Sequence, residues 1–247
     1  EFIENIQTSN HITHLDADTY FGKGSLNAAK RGVGANISAV NAVMSGDFNN
    51  AFSAIRPPGH HAETEKAMGF CIFGNVAIAA KYAIENHKLK RVAVVDFDVH
   101  HGNGTQEILW DDPNVLFVST HQMPLWPGSG THEEHGKHQN ILNIPIQANT
   151  DGPAFRQKFD EIILPRLDSY KPEILIISAG FDAHYKDPLA NIELMTEDYE
   201  WITHRLCDIA DEHADGRLIS SLEGGYNLAA LAESVAVHVK VLMERSK

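Results

Sequence analysis

Arg91-Val92-Ala93-Val94-Val95-Asp96-Phe97-Asp98-Val99-His100-His101-Gly102-Asn103-Gly104 carries an apolar, β-branched run straight into a cluster of ionisable side chains. The apolar part lacks the alternation of a half-exposed strand. It reads as a strand buried on both faces, as in a parallel sheet covered by helices. In an extended segment, residues two apart share a side, so Asp96, Asp98 and His100 can point together while Val95, Phe97 and Val99 pack away from them.

Working outward, the runs 51–55, 115–120, 141–144, 173–179 and 217–222 join 91–97 as strands. Helix-period segments at 25–45, 75–86, 104–110, 154–169, 196–212 and 228–244 separate them, with Ser25, Asn75 and Thr196 as capping residues. Repeats, low-complexity tracts and linkers are absent. The alternation predicts an α/β fold in which a mostly parallel central sheet lies between two helical layers, one domain spanning 1–247. The polar residues of chemical interest fall just after strands, where open parallel sheets place ligands.

The 247 residues include 33 acidic and 20 basic side chains, a net charge of −13 that opposes general binding to nucleic acid phosphates. The same field suits cationic partners. The two cysteines, Cys71 and Cys207, suggest neither a disulfide framework nor a thiolate metal site. No charged-then-apolar leader opens the chain, and no stretch reaches the roughly 18 apolar residues of a spanning helix, so the expectation is a soluble cytoplasmic protein without membrane partners.

Oxygen and imidazole donors without thiolates suit zinc or another divalent metal, and catalytic zinc sites keep three protein ligands and one open position. Asp98 and His100 need a third ligand. Asp182, in Ser178-Ala179-Gly180-Phe181-Asp182-Ala183-His184, follows another apolar strand and is the best candidate, the bland alternative being a helix cap. Ile55-Arg56-Pro57-Pro58-Gly59-His60-His61-Ala62 places adjacent histidines on a stiff turn. In Glu223-Gly224-Gly225-Tyr226-Asn227 the glycines allow a Tyr hydroxyl to approach a ligand closely. His132, His135 and His138 lack the zincin spacing and read as a solvated loop.

Together with Leu15-Asp16-Ala17-Asp18-Thr19, Gly69-Phe70-Cys71-Ile72-Phe73-Gly74-Asn75 and Pro127-Gly128-Ser129-Gly130, these segments resemble the histone deacetylase and acetylpolyamine amidohydrolase superfamily, in its class II and bacterial deacetylase-like branch. The resemblance spans almost the whole chain. It implies the arginase-deacetylase fold, one zinc ion on Asp98, His100 and Asp182, and hydrolysis of an N-acetyl amide to acetate and amine. It also implies that His61 serves as general base and then acid, paired with Asn103 in the class II manner. His60, buried against Asp96, would act electrostatically, and Tyr226 would donate to the oxyanion. Gly69 and Phe70 match the wall of an acyl-lysine channel, with Leu189 and Gly225 also at the substrate. Structural potassium or sodium sites would use Asp96, Asp98, His100, Ser119 and Thr120, and Leu109, Asp112 and Val115. Family members carry several dozen more residues before the region matching Leu15, which this chain lacks.

Acetylated lysines of proteins or peptides are the favoured substrates, because polyamine deacetylases of this branch carry an acidic residue where Leu189 stands. Acetylated small amines form the first alternative, and an inactive acyl-lysine binding module the second. A dinuclear manganese enzyme of arginase type fits less well, since His60, His61 and Tyr226 match the mononuclear enzymes.

Overall fold

The computed structural model describes residues 12–246. Its main sheet has six parallel strands: β3 (Asn50–Ser53), β4 (Val92–Asp96), β5 (Val115–Gln122), β6 (Ile141–Ile146), β7 (Ile174–Ala179) and β8 (Leu218–Leu222). The spatial order is β3-β8-β7-β4-β5-β6. All six were expected from sequence, with ends shifted by two residues or fewer. Two short strands, β1 (Thr13–His14) and β2 (Tyr20–Phe21), form a separate antiparallel pair. Sequence periodicity misses them because two residues carry no pattern. Their turn is built locally: Asp16 Oδ1 accepts from the backbone N–H of Asp18 (3.1 Å) and Thr19 (2.7 Å). The expected lack of a segment before Leu15 concerns residues outside those described.

Helices α1 (Ser25–Ser45) and α2 (Asn75–His87) cover one face of the sheet, and α6 (Thr196–His213) and α7 (Leu228–Glu244) the other. Between them come α3 (Asn103–Leu109), α4 (Gly152–Lys158) and α5 (Leu164–Tyr170). Strand β4 shows why its sequence is apolar throughout. Val92 and Val94 pack in a cluster with Val40, Val76 and Ala80, whereas Ala93 and Val95 join Tyr199, Leu206 and Val241. All five β4 residues are buried, so both sides of the strand draw on the hydrophobic effect, about 1.5–3 kcal/mol for a large aliphatic side chain.

The helix expected at 154–169 is interrupted by a π-helical turn, Phe159–Ile163, between α4 and α5. Pro165 lies just beyond it. Proline has no N–H for a helical bond and its ring crowds the carbonyl four residues back, so the turn widens there. The expected caps are not used. Gly24 and Gly74 precede α1 and α2 without a side-chain bond, and the Asn75 amide donates to the Pro57 carbonyl instead (3.3 Å). At α6 the Asp198 carboxylate accepts from the Met195 N–H (2.8 Å).

From β4 the chain adds β5 and β6 on one side, then returns to place β7 and β8 on the other. The order therefore reverses at β4, and ligand crevices form at the carboxyl ends of strands around such a point. Register levels those ends: Asp96 pairs with Ser119 on one side and Ser178 on the other.

Behind the crevice, His238 on α7 is fully buried, its ring nitrogens bonded to Thr203 Oγ1 (2.7 Å) and Ser220 Oγ (2.9 Å). Burial holds its pKa down at about 3. Because the folded value lies below the ordinary 6.5, the unfolded chain takes up a proton first, and stability falls as pH drops from about 6.5 towards 3. Urea denaturation at pH 7 and pH 4.5 should show a smaller acid-induced loss of stability in His238→Asn than in the wild type; equal losses would exclude His238 as an acid-sensitive group.

Candidate metal centre and active site

Asp98 and His100 follow β4, and Asp182 follows β7, so the reversal point brings all three together. They are buried, and their ligand atoms lie within 4.8 Å of one another. His100 Nδ1 sits 3.0 Å from Asp182 Oδ2 and 3.3 Å from Asp98 Oδ1. The backbone fixes the carboxylates: Asp182 Oδ1 accepts from Val99 N–H, Asp98 Oδ1 from His100 N–H and Asp98 Oδ2 from Gly224 N–H, each at 2.9 Å. A Cβ on Gly224 would overlap the carboxylates of Asp182 and Asp98, so only glycine permits this approach.

The electrostatics fit a cation. With protons alone to neutralise it, Asp182 is pushed up to about 6 by burial and by the Asp98 charge. Burial likewise raises Asp96, to about 7, although His60 opposes it. His100 is driven to about 10: burial disfavours its charge, but bonds to Asp182 and Asp98 outweigh that. Carboxylate and imidazole donors crowded in a dry site are those a zinc-type divalent ion satisfies. A second grouping, Asp168, Glu212 and His213, lies at the surface far less buried.

The β3-to-α2 connection carries the paired histidines, whose ring centroids are 3.9 Å apart. His60 Nδ1 binds Asp96 Oδ2 (2.9 Å), and His61 Nδ1 binds Asn103 Oδ1 (2.8 Å). Their environments push them apart. Burial disfavours the His60 charge, yet Asp98 and Asp96 hold its pKa well above the ordinary value. Burial and the neighbouring His60 charge hold His61 well below it. The surroundings thus favour the charged form of one ring and the neutral form of the other.

Phe70 and Trp126 lie beside these groups. Trp126 lies edge-on to His61, with centroids 4.6 Å apart, and Phe70 faces Tyr226 at 5.9 Å. Gly69 sits between at φ +56°, where a Cβ would come within 2.6 Å of both the His61 and Trp126 rings. Burial, with the charges of Asp182 and Asp98, raises the Tyr226 pKa and keeps its hydroxyl a donor.

Comparison with known proteins agrees with this geometry. The histone deacetylase domain matches residues 1–242. This chain belongs to the histone deacetylase family. Histone deacetylase 14, chloroplastic, of Arabidopsis thaliana is 44% identical over 218 residues, covering 85% of this chain and 52% of its own length. The histone deacetylase-like amidohydrolase of Pseudomonas aeruginosa is 41% identical over 220 residues, covering 87% and 58%. The chain thus spans 52% and 58% of these two curated relatives. The crystal structure of the HDA15 HD domain superposes with a TM-score of 0.92 at 34% identity, covering 98% of this chain and 69% of that one. The arginase-deacetylase fold expected from sequence is the fold of this histone deacetylase family member.

The remaining expected residues fall around the centre in different ways. Thr120 Oγ1 donates to the Asp96 carbonyl (3.4 Å), and Ser119 Oγ bonds to His121 (3.0 Å). The carbonyls of Leu109 and Asp112 converge on the Asn140 amide (2.9 and 3.2 Å), while Val115 N–H donates to Asp112 (3.3 Å). Leu189 is exposed, and Gly225 has φ +138°. The loop histidines do not gather: His132 binds the Asn143 carbonyl (3.1 Å) and His138 binds Asp111 (3.0 Å).

Three site residues escaped sequence reasoning. Trp126 stands in a loop with no local signal. Asp187 Oδ2 accepts from Tyr226 N–H (2.7 Å) and Asn227 N–H (3.3 Å), while Oδ1 accepts from Leu189 N–H (3.0 Å), so one carboxylate ties Leu189 to the tyrosine turn. Glu223 is fully buried; its Oε2 accepts from Gly59 N–H (2.6 Å) and His60 N–H (3.2 Å), and its Oε1 from Ser178 Oγ (2.8 Å). A buried glutamate at the end of an apolar strand was the available signal. In Glu223→Leu the buried N–H groups of Gly59 and His60 lose their acceptor, which should cost about 1–3 kcal/mol for each unsatisfied group. Urea midpoints check this, and an unchanged midpoint would contradict it.

Proposed function

We propose that the protein is a zinc-dependent deacetylase that releases acetate from acetylated lysine side chains of proteins or peptides. The observation that carries this reading is the buried Asp98–His100–Asp182 group beside an Asn103-bonded His61. Bound there, a divalent ion supplies positive charge that polarises the amide carbonyl and acidifies water. The chain's own residues do the rest. With its Nδ1 engaged by Asn103, His61 takes the proton of the attacking water at Nε2. As the new C–O bond forms and the C–N bond breaks, that proton passes to the departing amine nitrogen. His60, held charged by Asp96, adds fixed positive potential. The Tyr226 hydroxyl donates to the carbonyl oxygen as negative charge grows there. Phe70, Trp126 and Gly69 form an apolar approach that suits a methylene chain and excludes water.

Leu189 supports acyl-lysine over polyamine, because an apolar rim residue gives a distant ammonium no partner. The same reading takes residues 1–247 as one catalytic domain. It also places monovalent potassium or sodium near Asp96, Asp98, His100, Ser119 and Thr120, and near Leu109, Asp112 and Val115. The buried, unpaired thiols of Cys71 and Cys207 accord with a reducing compartment such as the cytoplasm. Among the described residues no helix is long and apolar enough to cross a membrane.

Acetate release from an acetyl-lysine peptide and from acetylspermidine, measured with zinc-loaded protein, tests the substrate. The peptide should be the faster; a clear preference for acetylspermidine would move the assignment to small amines. Binding of the peptide without acetate release would make the domain a reader of acyl-lysine. In Tyr226→Phe turnover should fall about a hundredfold, the usual cost of an oxyanion donor, with zinc content unchanged. Wild-type turnover in that variant would remove Tyr226 from the mechanism.

A further inference from the structure

Asn103 has two ends, and the structure accounts for both. Its Oδ1 faces His61 Nδ1 at 2.8 Å. Its Nδ2 donates to Glu63 Oε1 at 2.7 Å and makes longer contacts, 3.5 Å each, with the His61 carbonyl and Met68 Sδ. All three partners of Nδ2 are acceptors. The amide therefore cannot turn over without setting a carbonyl oxygen against a carboxylate oxygen. With Oδ1 held towards the ring, His61 Nδ1 must be the donor, and the only tautomer of the neutral imidazole that satisfies Asn103 leaves the lone pair on Nε2.

We propose that Glu63 is the positioning residue of this site's base: through Asn103 it holds His61 in the tautomer whose Nε2 can accept a proton. Glu63 sits two residues beyond His61 on the same connection, half-buried, with its carboxylate bonded to Asn103. It also lines a cavity of about 340 Å³ with Asn103, Gln106 and Trp110. Position and bond type together give it one task, which is to fix the orientation of an amide whose other two Nδ2 contacts, at 3.5 Å, are long and weak. A hydrogen-bond acceptor is what the task needs, so glutamine serves as well as glutamate when its Oε1 takes the place of the carboxylate oxygen.

The inference rests on His61 being the base, so the test has one arm that does not depend on turnover. Nitrogen-15 NMR of histidine-labelled protein, with the His61 signals assigned through His61→Gln, reports the tautomer directly. Wild type and Glu63→Gln should show His61 protonated on Nδ1, and Glu63→Ala a mixture of tautomers. With an acetyl-lysine peptide, Glu63→Ala should lose kcat by about tenfold, a part of the 10²–10⁴-fold that a positioned base contributes, at unchanged KM and zinc content. Glu63→Gln should stay within about twofold of wild type, as expected where orientation rather than charge is supplied. In an Asn103→Asp background, where Glu63 faces a second carboxylate, adding Glu63→Gln should raise kcat. An unmixed Nδ1 tautomer in Glu63→Ala, or equal damage from Glu63→Gln and Glu63→Ala, would overturn the proposal. A tautomer shift in protein that hydrolyses neither acetyl substrate would keep the positioning role and refute the deacetylase reading.

Discussion

Asp96, Asp98, Asp182 and Glu223 are all fully buried within one small region at the ends of β4, β7 and β8. Burying a carboxylate without compensation costs more than any single contact can return, so such a cluster persists only if each oxygen is met by a donor or by positive charge. The rest of the structure follows from that constraint. Peptide N–H groups of Val99, His100 and Gly224 serve the metal-facing carboxylates. Those of Gly59 and His60 serve Glu223. His60 serves Asp96. What is left is a set of oxygens and one imidazole turned towards a common point, and a divalent cation is the counter-charge that fits it.

The loop after β8 joins these groups into one unit. Glu223 grips the turn that carries His60 and His61, Gly224 grips Asp98, and the next two residues bring Tyr226 under the hold of Asp187. The histidine pair, the Asp98–His100–Asp182 group and Tyr226 come from four different strand ends, yet backbone bonds hold their turns together. For the proposed reaction such locking supplies preorganisation: the donors need not reorient as charge develops.

The strands were legible because two-sided burial leaves unbroken apolar runs, and 91–97 is the clearest of them. The metal group was legible because period-two spacing puts Asp98 and His100 on one side, and Asp182 repeats the strand-then-acid pattern. The tasks of His61, Asn103 and Phe70 came from family resemblance, since nothing local in the sequence distinguishes a catalytic from a surface histidine. Glu63, Asp187, Glu223 and Trp126 were given no role. Their importance lies in partners roughly 40 to 160 residues away or in a loop conformation, neither of which leaves a local trace. The hairpin of β1 and β2 and the π-turn before Pro165 were hidden for a similar reason, being too short to show a period.

The central claim, that the buried carboxylates are arranged around a divalent cation, is tested most directly by thermal unfolding of chelator-treated protein titrated with zinc. A ligand that binds only the folded state stabilises it in proportion to RT ln(1 + [L]/Kd). The midpoint should rise sharply up to one equivalent and then only logarithmically with excess zinc, and Asp182→Asn, which removes a ligand charge but keeps the side chain's shape, should abolish the sharp rise. A midpoint that ignores zinc, or that rises equally in Asp182→Asn, would contradict the account.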